Sequence, residues 1–154
     1  MLTRRILSIG IIAVTAATAC SRQATSETGP EAATVNATAA QLRSTYWKLV
    51  ALGSTPVNVA DSQREPHIIL QPDANRVNGS GGCNRMFGSY ALRGDALTFS
   101  GVGSTKMACQ DGMDVETSFL PALQRVARWR IADRQLELLD SAGAVVARFE
   151  AKAK

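Results

Sequence analysis

The stretch FGSYALRGDALTF (residues 87–99) is the strongest indication of the fold, because two alternating runs flank a turn signal. Residues 87–92 and 96–99 form the runs, and the sequence Arg-Gly-Asp at residues 93–95 lies between them. Alternation with a period of two places the apolar side chains on one face of a strand. A short connection containing glycine and aspartate favours a hairpin. The stretch therefore predicts two antiparallel strands.

Similar patterns before and after this hairpin predict more strands. Residues 131–138 resemble residues 92–99 and predict a second hairpin around Asp133 and Arg134. Other runs are rich in aromatic and branched residues and end at turn residues, as strands do. The predicted strands outside the first hairpin span residues 46–52, 67–70, 128–132, 135–139 and 145–150.

The clearest helical pattern lies between residues 114 and 126. Its apolar residues recur at spacings of four, one, three and three, which places them on one helical face. Asp111 or Asp114 can cap the first turn of this helix. Pro121 removes an interior hydrogen bond, so the helix either begins near Ser118 or kinks.

These elements predict the fold class. Seven or eight short strands and one helix, without regular strand-helix-strand alternation, are typical of an α+β domain. We expect a mostly antiparallel curled sheet, or half-barrel, packed on the helix. Residues 45–154 have the length of one domain with its own core, and no second domain is expected.

The N-terminus has the pattern of an exported protein. Arg4 and Arg5 precede an uncharged run of about 14 residues, shorter than the roughly 20 that span a bilayer. We therefore expect residues 1–19 to be a signal peptide. A twin-arginine export signal is the alternative.

The end of this run resembles the lipobox of bacterial lipoproteins. Its residues are Ala-Thr-Ala-Cys at positions 17–20, which implies that Cys20 is acylated. Ordinary cleavage after Ala19 is the alternative. Ser21 resembles the outer-membrane sorting pattern, in which aspartate at that place retains a lipoprotein at the inner membrane. We expect a lipid-anchored protein of the cell envelope, on the outer membrane and facing the periplasm.

Residues 20–44 separate the anchor from the domain. They are dominated by small and polar residues, with almost no large apolar side chain to bury. Such a segment cannot offset its own ordering entropy. We expect acylated Cys20 to be followed by a flexible tether.

The charge of the chain argues against nucleic acid as a partner. The formal net charge is +4, and removal of residues 1–19 leaves 15 basic and 13 acidic residues, or +2. Arg125, Arg128, Arg130 and Arg134 cluster, but apolar residues are interleaved with them. They lack the dense basic stripe of a nucleic-acid site. We interpret them as a solvated face, with contact to an anionic lipid or a peptide as the alternative.

Cys83 and Cys109 lie inside the predicted domain, 26 positions apart. Oxidising compartments favour pairing, so a structural disulfide is the expected state in an exported chain. A redox-active pair and metal ligation are the alternatives. His67 is the one imidazole available to a metal, so we expect neither a metal nor a cofactor.

The sequence lacks an evident catalytic constellation, and we expect a protein that is not an enzyme. His67 lies beside a predicted strand and is interpreted as a surface or edge residue. Ser80 has no strand-to-helix setting of the kind that exposes a nucleophilic serine. Residues 101–106 (GVGSTK) differ in order from a phosphate-binding motif and predict a turn between strands.

A glycine-rich segment is the candidate binding loop. Glycine lets a partner's backbone approach closely, and loops carry many binding residues. The candidate residues are Gly81, Gly82, Asn84 and Arg85.

Several motifs resemble the META-domain family, also called HslJ-like. Its features run from Tyr46 to Glu150 and include the order Gly-Cys-Asn followed by Met-Ala-Cys. The matching segments are residues 82–90, 94–99, 105–109, 119–123 and 136–140, with Phe149. The resemblance implies a β-rich half-barrel on one helix, found in envelope lipoproteins linked to heat-shock response, novobiocin resistance and secretion. It implies no catalytic residues.

Three hypotheses about function follow. The first is a monomeric, non-enzymatic binding or stress-protective module that engages an envelope protein or a small apolar ligand. The second is a chaperone for an outer-membrane secretion component, because the family's fold is similar to that of pilotins. The third is an enzyme, either a thiol-redox protein using Cys83 and Cys109 or a hydrolase.

Overall fold

A computed structural model of the protein describes residues 41–152, which form a nine-stranded antiparallel sheet and a packed helix. The strands are β1 (Tyr46–Leu52), β2 (Thr55–Pro56), β3 (His67–Gln71), β4 (Arg76–Ser80), β5 (Arg85–Arg93), β6 (Ala96–Ser104), β7 (Arg128–Ala132), β8 (Gln135–Leu139) and β9 (Val145–Lys152). The helical segments include a short 3-10 helix (Asp73–Asn75) and helix α1 (Met113–Gln124). The α+β prediction is confirmed.

The sheet curls until β1 has partners on both sides. Trp47 pairs with Ile68 of β3 and with Ala151 of β9. The order β2-β1-β3-β4-β5-β6-β7-β8-β9 therefore becomes a nearly closed ring. The least extensive strand pairing in the ring is between β6 and β7, where only Ala96 and Arg128 are paired. The predicted half-barrel is thus confirmed, with a more complete closure than the sequence pattern indicates.

Both predicted hairpins are present, with two-residue turns. Arg93 pairs with Ala96 in the first, and Ala132 pairs with Gln135 in the second. The structure has two strands beyond the seven predicted runs. They are β4 and β2, and β2 is two residues long and too short to produce an alternating pattern.

The predicted turn at residues 101–106 is wrong for its first four positions. Strand β6 continues through Ser104 and pairs there with Met86 of β5. Gly101 has a φ of 59°, and the register shifts opposite it, between Phe87 and Ser89. A glycine in this left-handed conformation produces a β-bulge, so the strand bends without ending.

Helix α1 begins earlier than the proline suggested. Its first residue is Met113, and Pro121 lies inside it. Of the two alternatives that Pro121 left open, a start near Ser118 is therefore wrong. Pro121 has no N–H to donate to the carbonyl of Thr117, four residues earlier. Because Thr117 and Pro121 are both exposed, water can hydrogen-bond to that carbonyl instead.

The predicted cap of the helix is also different. Gly112, rather than Asp111 or Asp114, occupies the N-cap position and makes no side-chain cap hydrogen bond. Asp111 instead accepts a hydrogen bond from the hydroxyl of Ser62. Asp114 lies in the first turn, where a negative charge complements the helix dipole.

The core fills the interior of the ring. Helix α1 packs on β6, β9 and β1, and the rings of Phe119 and Phe149 lie 5.9 Å apart. Trp47, Leu49, and both of these phenylalanines are almost fully buried. No helix within residues 41–152 has both the length and the apolar character needed to cross a bilayer.

The folded region extends to the N-terminal side of the predicted boundary at residue 45. Leu42 is fully buried, and its carbonyl accepts a hydrogen bond of 2.9 Å from the indole N–H of Trp47. The N–H of Ser44 donates to the carbonyl of Leu70 over 2.8 Å. The predicted signal peptide, Cys20 and the tether up to residue 40 lie outside the described residues.

Candidate functional site

The candidate binding loop connects β4 to β5 and packs against helix α1. Gly81, Gly82 and Asn84 are buried, whereas Arg85 is exposed. The N–H of Gly81 donates to the carbonyl of Asn84 over 2.9 Å, which closes the loop into a tight turn. Most of the loop therefore forms a supporting layer, and Arg85 is its member that faces solvent.

Asn84 and Glu116 connect this loop to the helix. The carboxylate of Glu116 accepts hydrogen bonds from the backbone N–H of Asn84 at 2.6 Å and from its side-chain amide at 3.1 Å. The hydroxyl of Ser104 donates to the same carboxylate over 2.9 Å. Glu116 is only 7% exposed, so these three donors replace its solvation.

The other side of Asn84 holds the chain that follows β6. The side-chain oxygen Oδ1 of Asn84 accepts hydrogen bonds from the hydroxyl of Thr105 at 2.9 Å and from the N–H of Met107 at 2.8 Å. Its amide also donates to the carbonyl of Met107 over 3.3 Å. One side chain thus joins three segments: the loop, the helix and the end of β6.

Gly81 is required by this arrangement. A Cβ atom on Gly81 would lie 2.5 Å from Cγ and 2.8 Å from Oε2 of Glu116. Any larger residue would displace the buried carboxylate from its donors. The glycine cluster therefore has a structural role, namely close packing against Glu116.

Sequence reasoning missed Glu116, although a signal for it exists. Glu116 precedes Phe119 by three positions and Leu123 by seven, so helical spacing places it on the apolar face. A carboxylate on the buried face of a helix needs internal donors. That conflict between charge and position could have identified it.

Cys83 and Cys109 form a disulfide bond, with their Cα atoms 5.8 Å apart. Cys83 is 3% exposed and adjoins Asn84, so the disulfide reinforces the same loop. Within residues 41–152, no group of three or more His, Cys, Asp or Glu side chains is placed to hold a metal ion.

A shallow depression of about 460 Å³ lies on the outer face of β3 and β4. At one end, the rings of Tyr46 and His67 stack with centroids 4.3 Å apart. Nδ1 of His67 lies 2.9 Å from the carbonyl oxygen of Glu65. Arg64, Glu65 and Arg85 also line the depression.

Glu65 has two lysine partners beside this depression. Its carboxylate lies 3.1 Å from Nζ of Lys48 and 2.7 Å from Nζ of Lys152. Burial raises the pKa of Glu65, but hydrogen bonds from Lys152, Lys48 and Tyr46 outweigh it, so the pKa lies below its ordinary value. Burial, followed by the charge of Glu65, raises the pKa of Tyr46 to about 12.

A second depression, of about 440 Å³, adjoins the disulfide. Arg64 and Arg85 line it as well, so the two depressions share a border. Lys106 and Met107 form its far end, and Met107 is 59% exposed. The cationic side chains of this second depression therefore lie over the loop that the disulfide holds in place.

A third depression, of about 470 Å³, separates the β1–β2 hairpin from helix α1. Its lining combines apolar side chains, such as Leu52, Val57 and Val115, with polar ones, such as Asn58 and Asp114. It has no cation in its lining, in contrast with the other two.

The arginine cluster predicted as a solvated face is distant in the ring from these cationic groups. Arg130 pairs with Glu137 at 2.5 Å, and Arg134 donates to the carbonyl of Ala151 over 2.6 Å. Arg125 and Arg128 are exposed. Two of the four arginines therefore have structural partners.

The fold and the site define a small curled-sheet domain in which a disulfide and a buried Asn-Glu contact fix a loop to one helix. Residues 40–153 match the META domain family model. The chain belongs to the META domain family, which confirms the resemblance of its sequence motifs. No curated protein sequence matches the chain.

Solved structures share this fold. An NMR structure of a protein from Burkholderia xenovorans is 29% identical, with a TM-score of 0.64, and the match covers 77% of this chain and 88% of that one. A second NMR structure is 22% identical, with a TM-score of 0.56 and coverage of 72% and 92%. A DUF4847 family protein from Bacteroides vulgatus is 14% identical, with a TM-score of 0.52 and coverage of 73% and 96%.

Proposed function

We propose that this chain is a non-enzymatic lipoprotein of the cell envelope whose META domain binds a partner protein through its outer surface. The lipid anchor is Cys20, and the domain faces the periplasm from the outer membrane. The N-terminal pattern supports the anchor, and the Cys83–Cys109 disulfide is consistent with an oxidising compartment.

The observation that carries the proposal is the contrast between a filled interior and an open outer surface. Trp47, Phe119 and Phe149 occupy the interior of the ring and are at most 2% exposed. The depressions lie on the outside of the domain. An internal site for a small apolar ligand would need repacking of this core, whereas a protein can dock on the outer surface without it.

The positions of His67 and Ser80 support a role other than catalysis. The ring of His67 stacks on Tyr46, and its Nδ1 contacts the carbonyl of Glu65. The hydroxyl of Ser80 accepts a hydrogen bond of 3.2 Å from the N–H of Gly82. Both side chains are used in contacts that hold the structure together.

Native mass spectrometry of the protein extracted gently from its own envelope tests the proposal. We expect a mature chain that begins at acylated Cys20, gains two daltons on reduction and retains a bound protein. The matched control is a Cys20→Ser chain, which should lose the acyl mass and the membrane association. An unacylated wild-type chain, or a chain that carries no partner under any gentle extraction, contradicts the proposal.

A further inference from the structure

We propose that the two adjoining depressions form one basic groove that binds an extended acidic segment of the partner protein. This inference rests on the proposed function, because it assigns the binding surface and the chemistry of the partner. The groove runs from the Tyr46–His67 stack, past Arg64 and Arg85, to Met107.

The strand register gives the groove its direction and length. His67 pairs with Ser80, and Ser80 pairs with Arg85, so the groove crosses the strands. The N–H of Thr105 donates to the carbonyl of Arg85, so the groove extends across one more interstrand spacing. Three interstrand steps of about 4.8 Å span about 14 Å, the length of about four residues of extended chain.

Three cations give the groove its charge. Arg64, Arg85 and Lys106 are exposed, and none of them forms an ion pair within residues 41–152. Glu65 also lines the groove, but its carboxylate is paired with Lys48 and Lys152, so it does not neutralise the three cations. A guanidinium group binds a carboxylate through two parallel hydrogen bonds, so two arginines and a lysine suit several carboxylates in a row.

Apolar groups at the edge of the groove indicate which residue types the bound segment carries besides acidic ones. Met107 is 59% exposed at one end, and Phe87 is 52% exposed beside Asn78, which lines the groove. A flexible thioether and an aromatic ring both adapt to apolar side chains. The segment that fits therefore has acidic residues interspersed with apolar ones.

The base of the groove is rigid, which favours a defined binding mode. Cys83 lines the groove and is held by the disulfide, and the adjacent Asn84 is bonded to Glu116, Thr105 and Met107. Because these residues of the domain are already held in place, binding at this surface costs little conformational entropy.

The concave shape and its orientation across strands favour a peptide over a membrane surface. Polypeptide chain in an extended conformation fits a groove, whereas a bilayer contacts convex or flat patches. Anionic vesicles are therefore the competing ligand in the test.

Fluorescence anisotropy with the full chain tests the inference. The probe is a labelled hexapeptide of alternating glutamate and leucine, and a lysine-leucine hexapeptide is the reversed-charge comparison. The groove variant combines Arg64→Glu, Arg85→Glu and Lys106→Glu. The control variant combines Arg93→Glu, Arg125→Glu and Arg128→Glu, which changes the net charge equally at exposed positions elsewhere.

We expect the groove variant to weaken binding of the acidic probe at least 10-fold more than the control variant does. Rising salt should weaken wild-type binding, because exposed charges are screened. If the groove variant does not fold, the single variants Arg64→Gln, Arg85→Gln and Lys106→Gln replace it, and each should weaken binding at least 3-fold.

Three results would overturn the inference: equal weakening by both triple variants, no binding of the acidic probe, or stronger binding to phosphatidylglycerol vesicles than to the probe. The native extraction separates this inference from the proposed function. A groove variant that still retains the bound protein refutes the groove alone, whereas a wild-type chain without any partner refutes the function.

Discussion

The backbone N–H of Asn84 donates to Oε2 of Glu116 over 2.6 Å, although the two residues are 32 positions apart. Both residues are buried, and the side chain of Asn84 adds contacts to Thr105 and Met107. The contact therefore determines how the β4–β5 loop, helix α1 and the end of β6 are arranged. The basic groove depends on this arrangement, because Arg85 and Lys106 follow directly after the bonded residues.

Replacing Glu116 with glutamine should destabilise the domain. Glutamine presents an amide donor to a site that already has donors from Asn84 and Ser104, so at least one buried polar group loses its partner. We expect the free energy of unfolding to fall by about 2 kcal/mol and the melting temperature by roughly 10 °C. Thermal unfolding followed by circular dichroism measures this. Asp114→Asn on the same helix is the exposed control, and equal melting temperatures for the two variants would refute the role of Glu116.

The disulfide should contribute more to stability than any single hydrogen bond. The Cys83→Ser, Cys109→Ser double variant opens a loop of 26 residues, and the chain-entropy estimate for such a loop is roughly 3–4 kcal/mol. Wild-type protein treated with a reductant should unfold at the same temperature as the double variant. The reductant should leave the double variant unchanged, and a double variant as stable as oxidised wild type would contradict this prediction.

Leu42→Ala in the full chain tests whether the folded domain begins before residue 45. Leu42 is fully buried, so truncation should lower the free energy of unfolding by about 2–5 kcal/mol. Denaturant titration measures the change. Gln41→Ala alters an exposed neighbour and should have little effect. A Leu42→Ala chain with wild-type stability would place the boundary where the sequence predicts it.

Glu65 should make stability depend on pH in the acidic range. Its folded-state pKa is depressed, so its contribution is present above the unfolded pKa, about 4.3, and is lost as pH falls through the folded value. At pH 7 we expect Glu65→Gln to cost about 0.5–1 kcal/mol, as is typical of exposed ion pairs. The difference from wild type should vanish at the lowest pH of a denaturant series.

Asp133→Asn is the matched control for the pH series, because Asp133 forms no ion pair within the part of the chain that the structure describes. Asparagine also tolerates the positive φ of 53° at this turn. A gap between wild type and Glu65→Gln that stays constant from pH 7 downward would show that the lysine partners do not depress the pKa of Glu65.

Much of the sheet could be predicted from the sequence. Strands β7 and β8 have the predicted bounds, and both hairpins form at the predicted turns. The expected pairing of Cys83 with Cys109 is present in the structure. Alternation and turn chemistry act over a few residues, so these features need no knowledge of the rest of the fold.

Prediction from the sequence was less accurate at positions where a tertiary contact outweighs the local conformational propensity of a residue. Pro121 indicated either a late helix start or a kink, yet the helix begins at Met113, with Phe119 and Leu123 packed in the core and the proline on the exposed face. Gly101 indicated a turn, yet pairing with β5 carries β6 past it as a bulge. In both cases a propensity of one residue was overridden by tertiary packing.

The amino-acid order alone was sufficient for the α+β class, the hairpins, the family and the N-terminal lipoprotein pattern, because each depends on neighbouring residues or short motifs. The closure of the ring through β1 and β9, the burial of Leu42 and the contact between Asn84 and Glu116 required the folded chain. So did the basic groove, which joins Arg64, Arg85 and Lys106 from three separate segments. Their partners are far apart in sequence, and only the packing of the sheet on the helix brings them together.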